Sequence, residues 1–580
     1  MSAFHPGLIL ILGGLLAFLA GKRLRQVVMV AAPLLALLAT LSLPVGIQWE
    51  YPFINNLKLL VLQADKLSLL FALVFSGIAL LANIYALHID RRGETLAAMV
   101  YAGSSISVVL AGDWLTLLFF WELMAISSVF LIWNRKSSRA IAAGFRYILI
   151  HLLSGSLLMA GIFLLVSRGQ LEIFPLTQLE ELSLSGSVGW AYWLILLGVG
   201  INAAFIPLHA WLPDAYPEAT ITGSVFLCVF TTKTAVYCLL RFFPGAQLLI
   251  WMGVIMALYG VVFALLENNI RRLLSYHIVS QVGFMVAGAG LGTALALNGA
   301  AAHAYSHILY KGLLFMGAGA VIYATGYEKL TELGGLYRKM PLTAICFGIG
   351  ALAISGVPLL NGFISKPMVL TAVSLNNLPA AELLLYLVSV GTFLSIALKL
   401  NYFMFFGPDK GIKVQKIPQN MSVAMIGTAF LCGLYGLFPT LLYQRLPFDI
   451  LYTPYTLDHV LSTLQLVLGA FMVFWVLRSR LLPHQALSLD FDWFYRKPLA
   501  ILFRWVVKVV GKIRDGFGIY GTALLTKVLP FFRNPVKWLP QTEEGPVLAV
   551  YNEDKYRLSI GVTVFMSILV FVLTILFVWL

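Results

Sequence analysis

His303, His307 and Lys311 recur at four-residue steps inside an apolar stretch, so on a helix they stack along one face. A metal site is one chemistry for such a row, but lysine is a poor ligand and no carboxylate or cysteine accompanies it. A file of titratable groups that hands protons on through bridging water fits better, and no metal or other cofactor is expected. Lys233, in Thr231-Thr232-Lys233-Thr234, is too deep in its apolar run to snorkel, and a lysine there is suited to shuttling a proton. Glu122 has apolar neighbours for nearly three turns on either side, where a carboxylate either takes up a proton or seeks a cation. Lys366 sits at a Lys-Pro interruption and extends the series toward the far side. Charged groups at such depth are expensive, so each is a candidate site. His151 and His277 either join a water path or simply pack, Lys399 can snorkel from the end of its run, and His209 and Asp214 could line an entrance.

The elements that must hold these residues are membrane helices. Of the 580 residues 60% are hydrophobic and only 11% are charged, about half the charged share of a soluble chain. Apolar runs of spanning length fall near 6–20, 27–46, 67–88, 95–111, 113–133, 140–167, 189–212, 220–243, 246–266, 274–291, 295–324, 341–375, 381–407, 420–441, 457–478 and 557–580. The stretch from Leu8 to Ala20 lacks a positive leader and an Ala-x-Ala site, so it reads as the first span. The fold class is all-α integral membrane, with about 16 transmembrane helices and no strands. The net charge of +14 does not point to nucleic acid, because Lys and Arg fall in short clusters between spans. Arg91 with Arg92, Arg135 with Lys136 and Arg139, Arg271 with Arg272, and Arg478 with Arg480 all follow odd-numbered spans, which places both termini on the outer side. Cys228, Cys238, Cys346 and Cys432 are isolated in apolar runs, so no iron–sulfur cluster, zinc site or redox centre is expected.

Two spans are too irregular for simple helices. Residues 341–375 would reach about 52 Å as one helix, and Ser355-Gly356-Val357-Pro358 and Lys366-Pro367 interrupt them. Pro207, Pro213 and Pro217 interrupt 189–218. Broken helices at membrane depth must face protein or water, and a pair of them in two halves of a chain points to an inverted-repeat transporter. Residues 1–94 then form N-terminal spans, 95–243 and 244–407 two half-channels, and 408–478 the following spans. From Phe491 to about Phe532, Lys497, Arg504, Lys508 and Lys512 recur at helical spacing among apolar residues. The 479–556 segment therefore reads as a basic amphipathic element along the inner surface or against other subunits, interrupted at Gly516 and Gly518 and followed by a final span at 557–580.

The run Asp113-Trp114 to Phe120-Trp121-Glu122-Leu123-Met124 resembles the fifth span of antiporter-like subunits of respiratory complex I. Pro207 through Ala215, Lys233-Thr234-Ala235, the His303, His307, Lys311 row into Gly312-Leu313-Leu314-Phe315, and Gly362 through Lys366 are similar to that family too. The likeness covers about 65–440, with the D subunit of Mrp-type sodium/proton antiporters nearest and complex I and membrane hydrogenase subunits next. The resemblance implies two inverted five-helix repeats, broken seventh and twelfth helices, and roles for Glu122 as the fifth-helix acid, Lys233 as the linker and Lys366 as the terminal base. It also implies a proton-translocating subunit of a multisubunit complex in a bacterial-type inner membrane, in some assemblies a redox-driven pump. Position 202 departs from the pattern: the family has a lysine there and this chain has Asn202. A sodium/proton exchange subunit proper is the first alternative, and a non-conducting scaffold, if Asn202 marks a dead channel, is the second.

Overall fold

A computed structural model describes residues 4–53, 58–167, 189–480, 482–483, 490–533 and 559–579. The stretch from Gln170 to Ser187 lies outside them, as does 534–556. Two compact units divide the chain, Met1–Asp490 and Phe491–Leu580.

Polar residues just outside the apolar runs start the helices of the first unit. Asp65 accepts from the Ser68 backbone N–H (2.7 Å), and the Ser68 hydroxyl accepts from the Asp65 N–H (2.8 Å), opening helix Lys66–Ala86 with a reciprocal cap. Asp113 caps Trp114–Trp133 through the Thr116 N–H (2.7 Å) and also accepts from the Leu60 N–H (2.8 Å). That second bond ties the helix to a feature the sequence reading missed. Gln48–Pro52 and Lys58–Gln63 form an antiparallel hairpin, so the chain is not purely helical. Leu60 and Leu62 alternate inward along it and are buried, a two-residue period too short to stand out beside the spans.

Among the described residues twelve helices are long and apolar enough to cross a membrane. Other expected spans take shorter form, as Pro6–Leu19, Gly189–Asn202, and Pro341–Ile354 followed by Lys366–Leu375. Ile270–Leu291 and Ala294–Thr325 are the middle of the unit, buried almost throughout, whereas Leu457–Leu477 is largely exposed at its edge. Small residues allow the close packing: a Cβ on Gly253 would stand 2.4 Å from the Gly283 carbonyl of the neighbouring helix.

Both expected breaks are present. Helix Gly189–Asn202 gives way to irregular chain before Trp211–Ala215, and Pro341–Ile354 to irregular chain before Lys366–Leu375. Each break holds a non-glycine residue with positive φ, Ala204 at 64° and Leu359 at 73°, a strained conformation that persists only where surroundings impose it. At Gly362 a Cβ would lie 1.8 Å from the Ala353 carbonyl, so only glycine lets the two halves of the second break close on each other.

Two further irregularities depart from the simple helices expected. The 220–243 span divides into Ile221–Leu227 and Thr231–Phe242, and 381–407 widens into π-helix over Phe393–Leu400 and Tyr402–Phe406. Lys233 and Lys399 sit at these two places, so a lysine accompanies each. In the second unit, Ala500–Arg533 is one helix that runs straight through Gly516 and Gly518, contrary to the expected interruption. Each glycine costs about 1 kcal/mol, and the long flanking turns absorb it. Ile560–Trp579 follows as an apolar helix.

Candidate functional site

Three of the breaks and the central helix supply the site. Lys233, in the first turn of Thr231–Phe242, is fully buried and folds back to donate to the Cys228 carbonyl (2.6 Å) and to Thr232 Oγ1 (3.1 Å). The interruption thus provides the acceptor, since a continuous helix would have kept that carbonyl in its own ladder. A Cβ on Gly312, next to Lys311, would lie 3.8 Å from Val229 in the same interruption, so the central helix packs directly against it. Lys233 and Lys311 are within electrostatic reach of each other.

His303, His307 and Lys311 are fully buried on one helix face, as their spacing required. The rings of His303 and His307 are 6.4 Å apart, and Tyr310 stands 5.3 Å from His307. His303 Nδ1 meets Ser365 Oγ at 3.3 Å, which joins the row to the second break. Its neighbour Lys366 donates to the Ile354 carbonyl (2.9 Å) and lies 5.3 Å over the Phe284 ring. Lys311 Nζ, both nitrogens of His307, His303 Nε2, the Tyr310 hydroxyl and Asn361 Oδ1 are buried without a hydrogen-bond partner among the described residues.

His277 forms a side branch. Its Nε2 contacts Ser395 Oγ at 2.6 Å, one turn before Lys399, and it is within electrostatic reach of Lys311, Lys366 and Lys399. Lys399 does not snorkel freely; it donates to the carbonyls of Leu265 (2.5 Å) and Glu267 (3.0 Å). Beyond Lys366 a cavity of ≈ 210 Å³ is lined by Ser355, Thr371, Tyr386, His459 and Ser462.

The remaining candidates stand apart from this cluster. Glu122 is half-buried against Gly155, where a Cβ would fall 1.4 Å from its Oε1, and it has no cation partner among the described residues. Asn202 Oδ1 meets His151 Nδ1 at 2.6 Å, so that histidine is tied to the position where the resemblance implies a lysine. His209, fully buried in the first break, lies 3.2 Å from Asp490, whose carboxylate also accepts from Tyr276 (2.7 Å) and Tyr259. Sequence reasoning missed Asp490, Ser365, Ser395 and Tyr310. The first is 281 residues from its partner histidine, and the others are ordinary span residues that become polar contacts only through packing.

The structure is a many-helix membrane core with a buried file of lysines and histidines between broken helices, and comparison with known proteins gives the family to which such a core belongs. The chain belongs to the NADH:quinone oxidoreductase/Mrp antiporter transmembrane family, whose model matches residues 111–405. It is 32% identical over 425 residues to "Hydrogenase-4 component B" of Escherichia coli, covering 65% of this chain and 62% of that one. It is 30% identical over 432 residues to the Na(+)/H(+) antiporter A subunit of Alkalihalophilus pseudofirmus, covering 65% of this chain and 52% of the relative. The chain therefore spans only part of these relatives. A solved Mrp complex from Dietzia shares the fold, with a TM-score of 0.76 at 23% identity over 94% of this chain and 64% of that one. The likeness to Mrp antiporters holds at family level, while the nearness to the D subunit in particular is approximate: the sodium antiporter relative given above is an A subunit.

Proposed function

We propose that this chain is a proton-translocating, antiporter-like subunit of a multisubunit membrane complex, with Lys233, Lys311, His307, His303 and Lys366 as its relay. One observation carries the reading: these groups are buried in file, and several have polar atoms with no hydrogen-bond partner among the described residues. Buried polar atoms in that condition are satisfied by water, and titratable groups joined by water can pass a proton. Each charge costs roughly 3 kcal/mol at membrane depth, which packing alone does not require. Residues 95–243 and 244–407 would be the two half-channels, with His277 and Lys399 as a branch and the cavity beyond Lys366 as one mouth. The chain would lie in a bacterial-type inner membrane with its termini outside and helix Ala500–Arg533 against lipid or neighbouring subunits.

Sodium/proton exchange is the second reading, favoured by the sodium antiporter relative. The half-buried Glu122, with no cation partner among the described residues, favours a weakened first half-channel. Vesicles containing the purified complex, with a pH dye and a sodium dye inside, separate these readings. Proton movement that is lost in Lys233→Met supports the relay, sodium-coupled movement supports exchange, and no flux of either ion from an intact complex overturns both.

A further inference from the structure

We propose that His151, oriented by Asn202, is the proton-carrying side chain at the first break and joins Glu122 to the relay at Lys233. The inference rests on the relay reading above and extends it into 95–243. His151 and Asn202 are both fully buried, on helices Ser138–Ser167 and Gly189–Asn202. His151 Nδ1 stands 2.6 Å from Asn202 Oδ1. An amide oxygen only accepts, so Nδ1 is the nitrogen that carries the hydrogen and donates. That bond fixes the ring and leaves Nε2 as the nitrogen that gains and loses a proton. Nε2 is buried with no hydrogen-bond partner among the described residues, and so is Asn202 Nδ2.

The helix that bears His151 has an acid to one side of it and a cluster of hydroxyls to the other. Gly155 and Tyr147 stand four residues either way, so all three share a face. The Glu122 carboxylate rests on Gly155, where a Cβ would fall 1.4 Å from its Oε1. The Tyr147 ring is 4.1 Å from the His151 ring, and its hydroxyl is 2.9 Å from Ser128 Oγ. The same hydroxyl reaches the side chain of Thr231, which is also 2.6 Å from the Tyr101 hydroxyl. Thr231 opens the helix of Lys233, whose Nζ donates to the adjoining Thr232. Buried polar atoms left open along such a line take water as their partner, which makes it continuous from Glu122 through His151 to Lys233.

The second break repeats the arrangement. His303, on the long helix that precedes it, has Nδ1 at Ser365 of the break and Nε2 without a partner among the described residues. At both breaks an uncharged side chain of the broken helix orients an imidazole of an unbroken one and leaves Nε2 open. Packing alone does not call for an imidazole at 151, since each buried polar atom left unpaired costs about 1–3 kcal/mol. The role also requires an uncharged partner: a lysine at 202 would repel the imidazolium that forms during transfer. Nε2 takes one proton from the Glu122 side, becomes imidazolium, and returns to neutral by releasing one proton toward Lys233.

The test is proton flux in vesicles holding the purified complex, at matched assembly. His151→Gln keeps an N–H donor for Asn202 Oδ1 but takes up no proton, so flux should fall about tenfold or more with the unfolding midpoint unchanged. The double variant His151→Gln with Asn202→His returns an imidazole to the pair and should regain a substantial part of that loss. Tyr147→Phe removes only the hydroxyl that reaches Ser128 and Thr231, and should lower flux several-fold whether or not the histidine variants assemble. Wild-type flux from assembled His151→Gln or from Tyr147→Phe, or a loss that the returned imidazole does not mend, assigns His151 to packing and overturns the inference. Flux lost in Lys233→Met but kept in His151→Gln removes His151 and leaves the relay standing, whereas a wild type that moves no protons overturns both.

Discussion

Lys311 and its histidine neighbours were legible in the sequence because their meaning is periodic: steps of four on an apolar helix allow one arrangement, and the structure has it. The surroundings of Glu122 and Asn202 were not legible. Position 202 announced a missing cation, but nothing local announced His151, 51 residues earlier, as its partner, or Gly155 as the surface under Glu122. Gly155 gives the cleanest probe of that acid. A Cβ there would collide with Glu122 Oε1 at 1.4 Å, so Gly155→Ala should displace the carboxylate while adding a residue that helices favour. Proton flux in reconstituted vesicles should fall several-fold with the yield of assembled protein unchanged. Flux equal to wild type would place Glu122 off the path.

Among the elements, the two broken helices were readable from Pro and Gly at membrane depth, whereas the Cys228–Phe230 interruption and the π-helix around Lys399 carry no such punctuation. The basic clusters were also read only in part. They mark topology, but Arg271 and Arg135 in addition clamp the chain between helices. Both donate to Glu328 Oε1 (2.9 and 2.8 Å), and each also reaches a carbonyl beside the first break, Ala219 (2.9 Å) for Arg271 and Pro217 (2.7 Å) for Arg135. Burial works against the charge on Glu328, but the two guanidinium groups outweigh it and hold the carboxyl below its ordinary value of 4.5. With the folded value lowered, the stabilisation is complete above the ordinary value and is lost as pH falls through the folded one. The unfolding midpoint of the detergent-purified protein should therefore drop steeply in that acid range. Glu328→Gln should start lower at neutral pH and drop less. Parallel curves for the two proteins would remove the clamp from the account.

For the whole molecule, composition and span spacing sufficed for a many-helix membrane protein, and the small hairpin escaped because its few residues are outweighed by the spans around it. The Phe491–Leu580 unit is predicted to serve assembly rather than conduction, because helix Ala500–Arg533 exposes Ile501, Phe503, Trp505 and Phe517 together with its basic residues. A chain ending at Asp490 should insert normally but co-purify with fewer partner subunits; full recovery of every partner would contradict that role. The relay itself is tested most directly by proton flux through Lys311→Met, measured in vesicles at matched assembly against the wild type. Lys311 Nζ has no hydrogen-bond partner among the described residues to lose, and methionine fills much the same space, so the fold should persist. The account predicts proton movement reduced to the leak of protein-free vesicles, and flux at the wild-type rate from the assembled variant would contradict it.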